Sequence, residues 1–463
     1  MNKAYITTCI IFILGIAGLP ACNKMIEIDP PVNEITSTTV FRTDATVKAA
    51  LSGLYSQLSV ASTQNWYTTA YTSLGSDELQ YLGAATSYDE VRNNALIATS
   101  QAPLTVFTDL YASVYRANSI IEGLQTYSGA SDSVRRQVMG EAKFIRAYLY
   151  FYLVNFFGDV PLVLQTDANI TAFLPRATKA DVYNQIITDL GAASDSLQAN
   201  YNASSGNRFN ANKYAAKALL ARVYLYTGNN AAAESNATDV ISASSLYSLI
   251  PSASIGTGVF VKNSVESILQ FMPSVYTNSY TVEGSSFVTT AAAFSLRPAF
   301  IIAFETGDLR RTKWIKDITI SGVVNYQPFK YKYPSNTAAV AAGVTEYPVI
   351  LRLAEQYLIR AEARTKQDNI TGALADMNVI RARAGLLAST TTDKAALLLE
   401  IEKERKFELF CELGHRWFDL QRTNRANAIL APIKANWQST DMLYPIPQTA
   451  RDANVNLSQN DGY

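Results

Sequence analysis

Apolar residues recur at helical spacing through most of this chain. From Thr43, the positions Val47, Leu51, Leu54 and Leu58 fall on one face, and Asp44 stands where a side chain caps a first turn. Further helices are predicted over about 103–127 and 133–157. In the second of these, Phe144, Tyr148, Phe151, Tyr152 and Asn155 share a face, and Gly158-Asp159-Val160-Pro161 ends the pattern. An aromatic stripe at this spacing is core more often than binding platform.

Two later stretches look like degenerate copies of one helix-turn-helix unit. The first runs from Tyr214 to Tyr224, turns at Gly228-Asn229-Asn230 and resumes from Ala231 to Ile241. The second carries Leu353, Tyr357, Ala361 and Ala363, turns near Asp368-Asn369, and resumes with Ala373, Met377 and Ile380. Alanines at the contact positions let paired helices approach closely, which is the tetratricopeptide-like pattern.

The helical period fails over about 59–102 and 244–346, where Gly, Ser, Thr and aromatic residues dominate. Loops this long in a compact fold usually carry function. The predicted fold class is therefore mainly α: tetratricopeptide-like helix pairs form a scaffold, with an irregular, loop-rich ligand-binding region and minor β structure. Residues 41–463 are expected to make one helical domain containing both insertions.

The N-terminus adds a location. Lys3 precedes an apolar run from Ala4 to Leu19, too short to span a bilayer convincingly, and Leu19-Pro20-Ala21-Cys22 resembles a bacterial lipoprotein cleavage box. Residues 1–21 are thus expected to be removed as a signal peptide. Cys22 would carry the lipid, and 22–40, with Asp29-Pro30-Pro31, would be the tether. Cys9 leaves with the signal, so Cys411 remains as the sole thiol of the folded part, set in an apolar run and expected to be a buried small hydrophobe.

Charge and composition then remove whole classes of chemistry. Lys plus Arg and Asp plus Glu both number 39, so no global excess attracts a polyanion, and nucleic acid is not an expected partner. The single histidine, His415, sits in a scaffold-like stretch, which disfavours His-based triads and rules out a His-rich zinc site. No phosphate-cradling glycine loop occurs, and nothing in the sequence calls for a metal or cofactor. Asp77-Glu78 is the one acidic pair in a promising loop, and adjacent residues rarely face one site together.

The most specific segment is the C-terminal one. It reads Glu404-Arg405 through Glu408, Glu412, Gly414, His415, Arg416, Trp417, Phe418, Asp419 and Arg422, then Tyr444-Pro445-Ile446-Pro447-Gln448, and closes on Asn460-Asp461-Gly462-Tyr463. Together with the lipoprotein signal, Phe41-Arg42 to Tyr55, and Glu141-Ala142-Lys143 to Pro161, it closely resembles the SusD/RagB family of outer-membrane nutrient-binding lipoproteins. The resemblance implies a non-catalytic protein, lipid-anchored in the outer membrane and facing outward. Such a protein passes captured oligosaccharide to a SusC-like TonB-dependent transporter. Arg405, Glu408, Glu412 and Arg416 recur at helical spacing, and alternating charges so placed are expected to form structural ion pairs rather than an acid and base.

Sugars offer weakly apolar ring faces and a rim of hydroxyls, so aromatic rings flanked by amides and carboxylates suit them. From the first insertion the candidates are Trp66, Tyr67, Tyr71, Tyr81 and Asp77; from the second they are Tyr276, Tyr280 and Trp314, with Glu78 and Asn278 as lesser hydroxyl partners. Three alternatives stand beside the glycan reading: a peptide-binding member of the same family, a surface glycan hydrolase using Asp77 or Glu78, and a protein-interaction scaffold on the helix pairs.

Overall fold

A computed structural model of the chain describes residues 37–60, 62–273 and 278–463. The signal segment, Cys22, most of the tether and Tyr276 lie outside the described residues.

The longer helices are α1 (Asp44–Val60), α2 (Ser62–Gly75), α3 (Gln101–Thr126), α4 (Asp132–Phe157), α5 (Lys179–Ser196), α6 (Lys213–Tyr226), α7 (Asn230–Ser242), α8 (Leu353–Lys366), α9 (Ile370–Arg383), α10 (Lys394–Leu409) and α11 (His415–Arg422). From α3 to α9 they pack in sequence as successive neighbours, although about a hundred residues separate α7 from α8 in the chain. Helix α4 is the central member, with Phe144, Tyr148, Phe151 and Tyr152 all buried, as its aromatic stripe predicts.

The two helix pairs seen in the sequence turn in the same way. Gly228 and Asp368 both adopt positive φ, at 79° and 64°. Asn229 and Asn369 then cap the following helices, accepting the Ala232 and Gly372 amides at 3.1 and 3.0 Å. Ala221, Ala233, Ala237 and Ala363 meet between the pairs, and the fully buried Arg222 crosses to Glu355 at 2.6 Å.

Strands pair only as two-stranded antiparallel ribbons among the described residues. β1 (Leu79–Tyr81) joins β3 (Phe294–Leu296), and β2 (Ser267–Gln270) joins β6 (Val349–Arg352). β4 (Ile315–Ile320) folds back on β5 (Val323–Pro328) through Ser321-Gly322, both at positive φ, as tight hairpin turns require.

Two stretches differ from the sequence expectation. Residues 62–75, expected to be irregular, form α2. Its Thr and Tyr content weakens helix propensity, but Trp66, Ala70, Tyr71 and Leu74 bury one side of it, so packing overrides propensity. The C-terminal charge motif is also broken: α10 ends at Leu409, Cys411 and Leu413 adopt positive φ, and Gly414 at φ 83° begins α11. A Cβ on Gly414 would lie 2.5 Å from the Phe418 ring, so glycine alone fits there. The freed backbone amides are taken up by α2 and its exit, with Leu413 donating to the Thr69 hydroxyl at 3.1 Å and Cys411 to the Glu78 carboxylate at 3.3 Å.

Because of the break, Arg405, Glu408, Glu412 and Arg416 pair with other residues instead of with one another. Arg405 binds Asp419, and Arg416 binds Asp77 and Glu402. Glu412 binds Arg352 and Lys330, while Glu408 meets Arg310, Arg352 and Arg383. Glu266, just before β2, joins Arg352 and Arg383, so the network ties the start of β2 with α9, α10 and β6 into one buried unit.

Candidate ligand-binding site

Most of the candidate rings serve the core. Trp314 is fully buried, its indole N–H donating to the Ile255 carbonyl at 2.8 Å, with the Lys330 ammonium 4.8 Å from its ring centre. It roofs the ion network, so the structure gives it no open face for a ligand. Trp66, Tyr71 and Tyr81 are also buried, in an aromatic cluster with Tyr88, Phe287 and Phe294. The first insertion does not present Trp66 and Tyr71 as an open platform, because β1, Phe294 of β3 and the short helix Val282–Phe287 pack against α2. Tyr67 is half-buried and stacks on Tyr71 with ring centres 4.9 Å apart.

The acidic pair is structural as well. Asp77 holds Arg416 at 2.7 Å and Lys406 at 2.8 Å. Burial alone would raise its carboxyl, but these two cations hold it well below the usual carboxylate range. Glu78 lies in the interior, accepting from Ser73 at 2.7 Å and from the Cys411 amide; burial pushes it up to about 7. Neither carboxylate lines the recess described below. Cys411 is buried, and burial pushes its thiol up, consistent with a packing role.

Among the recesses of the described residues, the one that holds candidates named from sequence has a volume of about 70 Å³ and is lined by Asn65, Phe271, Met272, Pro273, Asn278, Tyr280, Thr281, Val282, Glu283, Ser285 and Pro348. Several elements fix its walls. Asn65, on α2, accepts the Tyr148 hydroxyl of α4 at 3.1 Å, which anchors the floor to the scaffold. Thr281 caps the short helix by accepting the Gly284 amide at 3.0 Å, and that helix is held from behind by Trp66 against Phe287. The wall before it is tied down through Ser279, whose amide donates to Asn336 at 2.8 Å and whose carbonyl accepts the Glu346 amide at 3.0 Å. Trp66 thus positions a wall of the recess from behind it.

Of the candidates named from sequence, the recess brings together Tyr280 and Asn278. Tyr280 is half-buried, so part of its ring faces outward. Asn65, Thr281, Glu283 and Ser285 were not singled out from the sequence. One signal pointed to Glu283: it is the only charged residue between Glu266 and Arg297.

Glu283 is electrostatically unusual. It is 5% exposed, and burial pushes its carboxyl up to about 7 against the lowering effect of its own amide and the Thr281 hydroxyl. Glu346, close behind, is also raised to about 7, by burial first and in part by Glu283, although the Lys332 and Tyr333 amides and the Lys332 ammonium oppose the shift. The recess therefore offers one partly open aromatic ring, two amide side chains, hydroxyls, and an acid able to donate or accept near neutral pH.

Comparison with known proteins agrees on the architecture. Residues 29–225 match a family model described as SusD-like, "Starch-binding associating with outer membrane", and residues 315–463 match the SusD family model. A SusD-like protein P38 of Formosa agariphila is 24% identical, covering 99% of this chain and 98% of its own. A SusD superfamily crystal structure from Bacteroides vulgatus superposes with a TM-score of 0.79 at 23% identity, covering 91% of this chain and all of that one. A structure described as a laminarin-binding SusD-like protein gives a TM-score of 0.75 at 23% identity, with 91% and 100% coverage. No helix among the described residues is long and apolar enough to cross a membrane.

Proposed function

The chain belongs to the SusD family, and from that premise we propose that it is a glycan-binding lipoprotein, anchored through Cys22 on the outer face of the outer membrane. It takes an oligosaccharide at the Tyr280 recess and passes it, without cleaving it, to a SusC-like TonB-dependent transporter. The observation that carries this reading is the recess itself, where a partly open tyrosine ring is set among the Asn65 and Asn278 amides and the Glu283 carboxyl. A ring supplies the surface that a sugar's apolar face stacks on, and the amides and the acid match its hydroxyl rim. The laminarin-binding relative shares this fold, which supports glycan as the ligand class.

The test is direct. Purified protein lacking residues 1–22 should bind at least one of a panel of neutral polysaccharides by calorimetry, release no reducing ends from it, and lose affinity on Tyr280→Ala. Tagged full-length protein should co-purify with a TonB-dependent transporter from outer membranes. Binding to peptides alone would move the chain to the peptide-binding reading, and glycan turnover would make it an enzyme.

A further inference from the structure

Glu283 stands on the recess wall with no cation beside it. Neither it nor Glu346 has an ion-pair partner within 4 Å among the described residues, whereas Glu408 has three arginines. The groups that face Glu283 are the Glu346 carboxyl, the Tyr331 and Tyr148 hydroxyls, and Thr281, whose hydroxyl donates to it. The cation that acts on Glu346 is Lys332. Its ammonium is engaged by the Lys313 and Phe329 carbonyls, each at 3.0 Å, and interacts with Glu346. An anion entering the recess thus meets the Glu283 carboxyl, with Glu346 behind it, and no Lys or Arg on the lining.

We propose that Glu283 is the ligand-selecting residue of the recess, admitting uncharged, hydroxyl-bearing sugar rings and excluding carboxylated ones. This rests on the Tyr280 recess being the glycan site. A sugar hydroxyl both donates and accepts, so it satisfies Glu283 whether the acid holds its proton or not. A uronate carboxylate only accepts, and it places like charge beside Glu283, which has no ion-pair partner to offset it. It fits only while Glu283 remains protonated. Discrimination between neutral and acidic rings must therefore increase with pH as the burial-raised acid ionises near 7.

The experiment titrates the protein with hexaoses of glucose, mannose, xylose and galactose, and with a bound gluco- or galacto-hexaose after oxidation of its C6 hydroxyls to carboxylates. Calorimetry is run at pH 5.5, 7.0 and 8.5. The preference for the neutral form should grow by at least about tenfold across this range, the scale of placing like charges together. Glu283→Gln, which keeps size and hydrogen bonding but cannot ionise, should flatten that dependence and admit the oxidised form at pH 8.5. A wild-type preference that is constant with pH, or tighter binding of the oxidised form, overturns the proposal. So does a Glu283→Gln variant that folds, by circular dichroism, and keeps the wild-type profile. If neutral hexaoses bind and are discriminated, yet Tyr280→Ala changes nothing, the site is misplaced. If no neutral hexaose binds, the glycan reading fails and this proposal with it.

Discussion

Glu408 and Glu283 are both carboxylates shut away from water, and their surroundings treat them oppositely. Around Glu408, Arg310, Arg352 and Arg383 overcome the burial that would raise it and hold the acid well below the usual range. Around Glu283 no cation answers, and burial lifts it to about 7. The first arrangement is a compensated network, which locks elements in place and resists removal of any one member. The second leaves an acid hydrogen-bonded but without a counter-charge on the lining of a recess, where a perturbed acid is a candidate for function. The contrast separates scaffold from site more sharply than the distribution of aromatic rings does.

The contrast can be broken from the scaffold side first. Glu408→Ala strands three buried arginines and should remove about 3–5 kcal/mol of unfolding free energy, or prevent folding, as read by urea denaturation. A loss below about 1 kcal/mol would mean that the network is not what binds α9, α10 and β6 together.

Stability against pH sharpens it next, because the two kinds of acid carry opposite signs. Glu408, depressed when folded, contributes stability that is present above its unfolded value of 4.5 and lost as pH falls below it. Glu283 and Glu346, raised when folded, hold protons that the unfolded chain releases. Their contribution is most favourable below 4.5 and is lost as pH rises toward about 7. The double variant Glu283→Gln/Glu346→Gln should therefore gain on the wild type between pH 4.5 and 7.5, by about 1–3 kcal/mol. Thermal denaturation across that range checks it, and parallel curves would refute the assignment. The smallest effect belongs to Tyr280→Ala: about 1 kcal/mol of glycan affinity by calorimetry, with the melting temperature nearly unchanged.

Much of the scaffold was legible in the residues. The turns at Gly228 and Asp368, the alanine contacts and the α4 stripe follow from periodicity and backbone chemistry, and the pairing of motif charges follows from their density. Helix α2 was hidden because its Thr and Tyr residues are poor helix formers that only tertiary contacts hold in place. The break at Cys411–Gly414 was hidden because the charge spacing continues across it. Trp314 and Trp66 show why composition could not locate the site: an indole looks the same in sequence whether it covers an ion network, braces a wall or receives a ligand. Tyr280 and Asn278 were among the residues named, while Asn65 and Thr281 reach the recess only through folding. The lone charge at Glu283 was visible, but its meaning depends on the absence of a nearby cation.

Hydrogen exchange with and without saturating glycan tests the central claim most directly. The account predicts slowed exchange in peptides spanning 278–288 and the start of α2, with those spanning 404–416 unchanged. Protection confined to α8, α10 and α11, or the same pattern in Tyr280→Ala as in the wild type, would contradict it.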